Sequence, residues 1–290
     1  MNKILSILII GLLLGAPEMV NAQWKTKSRT SSAPLFDSDK YVSGSLSGGL
    51  SSIYFKSSDS DRKLGGGGSF NVDYNQFLSN NWGFSAGVGV QLSNSTASLD
   101  GTLKYDIYDE INKQDFTYVI VMKEWEEHQR CVNLEMPLGA LFRMPLTKRI
   151  SLVAGAGLKL YFPFKTKYEV KEGEYETTGY YPETNVTIHD LEHHGFTIDK
   201  PRPTGAIATK GLGLSLYYDV CVVAKITPSI YFFGGIYSSI GLSDMAKNHD
   251  GAMLNTDRTY KSLMESDVID KVNLRNIGLR AGVKIPLKTK

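Results

Sequence analysis

What the chain is short of is informative first. Its 290 residues include only two cysteines, Cys131 and Cys221, and only 3 tryptophans. It has no charge bias: the formal net charge is +2 and its lysines and arginines are scattered, so no basic stripe for nucleic acid is present. Past residue 22 no stretch is apolar enough to cross a membrane as a helix, which takes roughly 20 residues. Glycine-rich pieces such as Gly65–Gly68, "GVGV" and "GAG" are not followed by Lys-Ser/Thr and do not join a strand to a helix. They are not phosphate loops, and no cofactor is expected. In place of these features stand 16 tyrosines and 28 glycines, a mixture that favours strands and tight turns.

The beginning of the chain reads as an export signal. Met1-Asn2-Lys3 supplies a positive charge, Ile4 to Ala16 is apolar, and Val20-Asn21-Ala22 offers residues suited to a signal peptidase site. Residues 1–22 are therefore expected to be cleaved. No cysteine follows the site, so a lipid anchor is not expected. Residues 23–40 are expected to remain as a periplasmic N-terminal segment, and residues 41–290 to form one β-barrel.

The barrel expectation comes from a period of two. Ile150–Phe162 places Ile150, Leu152, Ala154, Ala156, Leu158, Leu160 and Phe162 on one face, with mostly small residues and Lys159 on the other. The same alternation runs through 41–55, 65–78, 82–92, 131–144, 211–226, 229–241 and 272–287, which makes about eight strands. Short links at Ser79-Asn80-Asn81, "PLTKR" and "TPS" alternate with long ones at Lys56–Gly65, Asn94–Arg130, Pro163–Thr204 and Leu242–Lys271. This is the wiring of an up-and-down barrel with short periplasmic turns and long outer loops. Within two of those long links, 102–125 and 165–181 each read as a hairpin that carries the wall upward. Cys131 and Cys221 fall on non-adjacent strands near opposite ends, so no disulfide between them is expected.

The polar face decides which side is outside. A soluble exterior carries many charges, but here that face is Gly, Ser, Asn and Gln, and the charges gather in stretches such as "EWEEHQR", "KYEVKEGEYE" and "HDLEHH". Glycine and serine suit the inside of a narrow barrel, where the strands curve tightly. The apolar face then meets lipid, with Tyr54, Trp82, Phe142, Phe162 and Tyr218 near the strand ends as an interfacial girdle. The expected fold is all-β, an eight-stranded antiparallel transmembrane barrel with long extracellular β-hairpin loops. A soluble lipocalin-like pocket protein is the alternative.

Four charges share the inward face at mid-strand: Glu135, Lys159, Asp219 and Arg280. Two of each sign imply a neutral structural network that fills the lumen, with a gated channel as the functional alternative. The fourth link centres near Thr147, so residues whose numbers sum to about 294 should face each other, and Glu135 would then lie directly opposite Lys159. All five histidines fall in outer loops; His189 and His193 are four apart, but a polar surface loop is the expected reading and no metal site is assigned. No Ser–His or Asp–His set stands out in the strands, so no catalytic residue is assigned and a non-enzymatic protein is expected.

The stretch "NLEMPLGALFRMPLTKRISLVAGAGLKLYF" resembles a hairpin of the outer-membrane β-barrel domains of Bacteroidetes, a group that includes PorT-like proteins and OmpA-like barrels. "YYPETNVTIHDLEHHGF", "FFGGIYSSIGLSDM" and "NIGLRAGVKIPL" resemble later parts of the same family. The peptidoglycan-binding domain of OmpA relatives is not expected here, and "PLKTK" departs from the terminal Phe of many barrels. The resemblance implies a Gram-negative outer membrane, outward loops, periplasmic termini, and contact with outer-membrane lipid and lipopolysaccharide. Three roles follow as expectations: a non-enzymatic barrel displaying loops for surface interaction or envelope integrity, a PorT-like subunit of a secretion or transport assembly, or a lipid-modifying enzyme. Envelope or secretion-system proteins are the expected partners in the second.

Overall fold

The computed structural model describes residues 38–55, 60–109 and 113–287. The expected signal at 1–22, and residues 23–37 of the N-terminal segment, lie outside the described residues.

The period-two segments form long antiparallel strands: β1 (Lys40–Phe55), β2 (Ser60–Phe77), β3 (Trp82–Asp109), β4 (Gln114–Pro145), β5 (Ile150–Tyr181), β9 (Gly213–Thr227), β10 (Ile230–Gly241) and β11 (Val272–Pro286). Each pairs with its chain neighbour, and β1 pairs with β11 from Tyr41↔Pro286 to Phe55↔Val272, so the ring of eight is closed. Three short strands, β6 (Val186–Ile188), β7 (Ile198–Asp199) and β8 (Thr204–Ala206), add to the upper edge of β5.

The links at one end are tight, and local hydroxyls close two of them. Leu78 and Ser79 both donate to the Trp82 carbonyl, while Ser79 Oγ accepts from Trp82 N at 3.0 Å. Thr147 Oγ1 accepts from the backbone N–H groups of Arg149 and Ile150 in the same manner. The β4–β5 turn is centred one residue later than its composition suggests, since Met144 pairs with Leu152.

Two of the expected long links are different in kind. Residues 60–64 belong to β2, so the link expected at Lys56–Gly65 shrinks to 56–59. The segment 165–181 is not a hairpin: it continues β5 as one strand against β4. Its apparent turn at Gly173 is a bulge, with φ of 121° and the register shifting across Lys123 and Glu126. A Cβ at Gly173 would lie 2.6 Å from the Cα of Trp125, so only glycine lets the two strands close there. The hairpin expected at 102–125 is present as the upper part of β3 and β4.

Polarity reverses along these long strands. In the lower part of β3 the outward Trp82, Phe84, Val88 and Val90 are exposed, and the inward Ser85, Gln91, Ser93 and Ser95 are buried. Higher up, Ala97, Leu99 and Leu103 are buried inside, while Asp100, Thr102 and Lys104 are exposed. β4 repeats the pattern, from Leu134 and Leu138 outside to Trp125, Met122, Ile120 and Tyr118 inside. The barrel thus has an apolar exterior below and an apolar interior above.

Inward glycines make room for the polar side chains of neighbouring strands. A Cβ at Gly155 would lie 2.3 Å from Asp219 Oδ1, and one at Gly87 would lie 2.2 Å from Asp73 Oδ1. Gly155→Val should therefore displace Asp219 and destabilise the barrel by about 1–3 kcal/mol, as overpacking does. Gly211→Val, where no atom lies within 4 Å, should leave the unfolding midpoint in detergent unchanged. Equal midpoints for the two variants would refute this account of the lumen.

Candidate functional site

The lumen holds the four inward charges read from the sequence. Lys159 Nζ lies 2.8 Å from Glu135 Oε2, both side chains being buried. They are diagonal rather than directly opposed: Glu135 faces Tyr161 and Lys159 faces Pro137. The one-residue displacement of the turn accounts for this, and the length of the lysine side chain bridges the offset. The contact is an ion pair without hydrogen-bond alignment.

Arg280 gathers the other charges. It pairs with Asp73 and lies 3.6 Å from Asp219, and its Nε donates to Ser45 Oγ at 3.0 Å. Asp73 is absent from the candidates read in the sequence, although its inward parity on β2 is the signal that marks it. Lys284 is also buried in this region, its ammonium 5.1 Å from the centre of the Phe233 ring. Asp73 and Lys284 add one charge of each sign, so the network stays neutral. Serines and asparagines complete it, as in Ser47–Ser69 at 2.6 Å and Asn75 Nδ2 donating to Ser43 Oγ at 2.8 Å. Between these groups lie two cavities of about 30 Å³ each, room for roughly two waters apiece.

Both ends of this polar layer are closed. Below it, Tyr41 packs edge-on against Phe77 and Tyr231, at 6.4 and 5.6 Å between ring centres. Arg143 lies 3.9 Å over the Phe77 ring, and its Nε donates to the Asn80 carbonyl. Above it, Met245, Met253, Leu254, Leu263 and Met264 of the 242–271 segment pack with Ile53, Leu99, Trp125 and Val272 in one buried cluster. The long 242–271 link is therefore a plug with a core of its own.

Glu127 of β4 ties that plug to the wall. Its carboxylate is fully buried and accepts from Tyr260 OH at 2.6 Å, Ser262 Oγ at 2.7 Å, Leu263 N at 3.0 Å and Gln129 Nε2 at 2.8 Å. Trp125 Nε1 donates to the same Tyr260 hydroxyl at 3.1 Å. Burial pushes the Glu127 carboxyl above the usual carboxylate range, against the opposing effect of its four donors. Burial and the neighbouring Glu127 likewise push the Tyr260 phenol well up. In the sequence Glu127 belongs to what reads as a solvated acidic stretch, because nothing local marks it as buried.

A second anchor is Asp244, whose carboxylate meets Lys210 at 2.8 Å, His249 at 3.0 Å and the Val272 N–H at 2.9 Å. Burial opposes its ionisation, but these partners hold its pKa below the ordinary value. The other loop histidines are dispersed: His189 lies 3.9 Å from Glu176, and His194 lies 3.9 Å from Asp109. Among the described residues no three His, Cys, Asp or Glu side chains are grouped to hold a metal ion. Cys131 and Cys221 are buried free thiols.

No family model matches the chain, and no curated protein matches it. Among solved structures it is similar to Neisserial surface protein A, at 12% identity and a TM-score of 0.41, covering 86% of this chain and 98% of that one. It is also similar to the outer membrane protein OprG from Pseudomonas aeruginosa, at 7% identity and a TM-score of 0.40, covering 88% and 98%. A major outer membrane protein from Thermus thermophilus gives 12% identity and a TM-score of 0.37, covering 85% and 98%.

Two outcomes follow from this geometry. Glu135→Gln or Lys159→Met leaves a buried charge uncompensated and should cost ~3–5 kcal/mol. The double variant should recover part of that loss in detergent unfolding; simple additivity would show that the two residues do not interact. For Glu127 the sign is set by its raised pKa. A group that binds its proton more tightly when the plug is docked favours docking at low pH, and this contribution is lost as pH rises through the folded-state pKa. Hydrogen exchange over 253–265, taken as the ratio of wild type to Glu127→Gln at each pH, should rise as the pH is taken upward from the ordinary carboxylate range. A flat ratio would remove Glu127 from control of the plug.

Proposed function

We propose that this is a non-enzymatic outer-membrane protein whose barrel carries a structured extracellular platform for surface interaction or envelope integrity. The observation that carries the reading is the polarity reversal along β3 and β4. Leu46, Phe70, Val88, Leu138, Phe232, Ile236 and Leu279 each expose more than half of their surface on the lower wall. Leaving such a side chain in water forgoes about 1.5–3 kcal/mol, and a continuous belt of them exceeds the few hundred Å² of apolar patch that a soluble monomer carries. A lipid surround removes that penalty, and the closed ring leaves no strand edge unpaired within it.

The upper wall has the opposite organisation and belongs in water. Its outward residues include Lys123, Glu124, His128 and Arg130, and its interior is the apolar cluster around Trp125. In this reading the three tight turns and both termini face the periplasm, and residues 1–22 are the signal that delivers the chain. The aromatic rings and the ionic layer favour a filled lumen over an open channel. Assignment to the PorT-like branch, with a place in a secretion assembly, rests on the sequence resemblance alone.

Epitope tags test the orientation. A tag inserted at Asn185, in an exposed turn above β5, should be labelled on intact cells, whereas one at Asn80 should be labelled only after the envelope is opened. Labelling at Asn80 on unbroken cells would invert the proposed topology.

A further inference from the structure

We propose that the outer wall around Arg130, Lys165 and Lys167 is a binding site for the phosphate groups of a lipid-A-type glycolipid. This rests on the membrane reading above and goes beyond it by naming a lipid class and the residues that recognise it. The three cations are exposed on adjacent strands, with Arg130 directly opposite Lys167 and Val132 opposite Lys165. Like charges facing each other across a ladder destabilise a sheet, so the arrangement calls for an anion between them.

The protein does not supply that anion. Arg130 is flanked on β3 by Asn94, and Lys167 on β8 by Ala206. One register step higher, Glu169 faces His128 and is already paired with Lys171. Among the described residues no acid forms an ion pair with Arg130, Lys165 or Lys167.

Position points to a lipid phosphate as the missing partner. A register shift between Val132 and Asn133 leaves Phe164 as the extra residue on β5, 64% exposed and next in sequence to Lys165. Below it lie the outward Leu134, Leu138 and Leu158 of the apolar wall. The three cations therefore mark the upper rim of the lipid-facing belt, where their aliphatic stems follow the apolar surface and their heads reach its edge. A lipid with acyl chains against that wall brings its phosphates to this height. The Arg130 guanidinium presents paired donors to phosphate oxygens, and the lysines add point charge.

The test uses the purified protein refolded in phosphatidylcholine vesicles, then extracted in mild detergent and titrated with bisphosphorylated lipid A, with bound lipid counted by native mass spectrometry. Wild type should retain lipid A. Combined Arg130→Gln and Lys167→Gln should weaken retention roughly ten- to thirtyfold. Lipid A stripped of both phosphates should bind wild type as weakly as lipid A binds the double variant. Lys104→Gln, an exposed lysine further up β3, should change nothing. Equal retention of the dephosphorylated lipid, or an equal loss in Lys104→Gln, would overturn the site. Failure of wild type to insert into the neutral vesicles would overturn the membrane reading itself, whereas insertion without phosphate preference overturns only this proposal. Heat-dependent gel migration checks that both variants remain folded.

Discussion

Closure of the backbone ladder governs everything else in this molecule. Every strand of the ring finds partners on both sides, and the β1–β11 pairing joins the first strand to the last over 15 residue pairs. Without that last pairing, two rows of N–H and C=O groups would be left open on a wall already apolar outside. A buried, unpaired peptide group is costly in hydrocarbon, so the wall can be apolar only because the ladder has no end. The tight turns serve this closure, with Ser79 and Thr147 holding strand pairs in register through their hydroxyls.

A closed ring of only eight strands leaves a narrow interior, and the lumen is built within that limit. Large side chains on the inner face fit over glycines of other strands: Asp219 over Gly155 of the adjacent β5, and Tyr217 across β5 to Gly139 of β4. Five of the lumen charges are in contact with an opposite one, Arg280 with Asp73 and Asp219 and Lys159 with Glu135, while Lys284 lies by the Phe233 ring. Breaking one such contact exposes its partner to the full desolvation penalty, which makes the layer a rigid filling. The aromatic cluster of Tyr41, Phe77 and Tyr231 closes the same interior from below.

Above the belt the physical problem is reversed, and so is the solution. There the exterior is polar and the inner face apolar, so the inner face must be covered by protein. The 242–271 segment supplies Met245, Met253, Leu263 and Met264 for that purpose, and the buried Glu127 and half-buried Asp244 fasten it through polar contacts. Phe196 does the same beside β5, its ring against Gly179 and its chain turning at Gly195 with φ of 77°. The upper half is thus packed like a small globular domain on top of the barrel. That packing gives the proposed platform a fixed shape.

Alternation of apolar and small polar residues determined the strands, their number, the inward face and the candidates for the lumen charges, because side-chain direction in a strand depends only on sequence parity. The bulges at Gly173 and between Val132 and Asn133 broke that parity, so 165–181 reads as a hairpin in sequence yet runs as one strand. The exact register escaped for a separate reason: the turn centre moved by one residue and turned a facing pair, Glu135 and Lys159, into a diagonal one. Asp73 and Glu127 joined their networks through partners distant in the chain, Arg280 at 207 residues and Tyr260 at 133. No local pattern records such a contact. Sequence by itself determined what faces inward along each strand; only the tertiary structure decided which inward groups meet, because that depends on the stagger of strands around a closed ring.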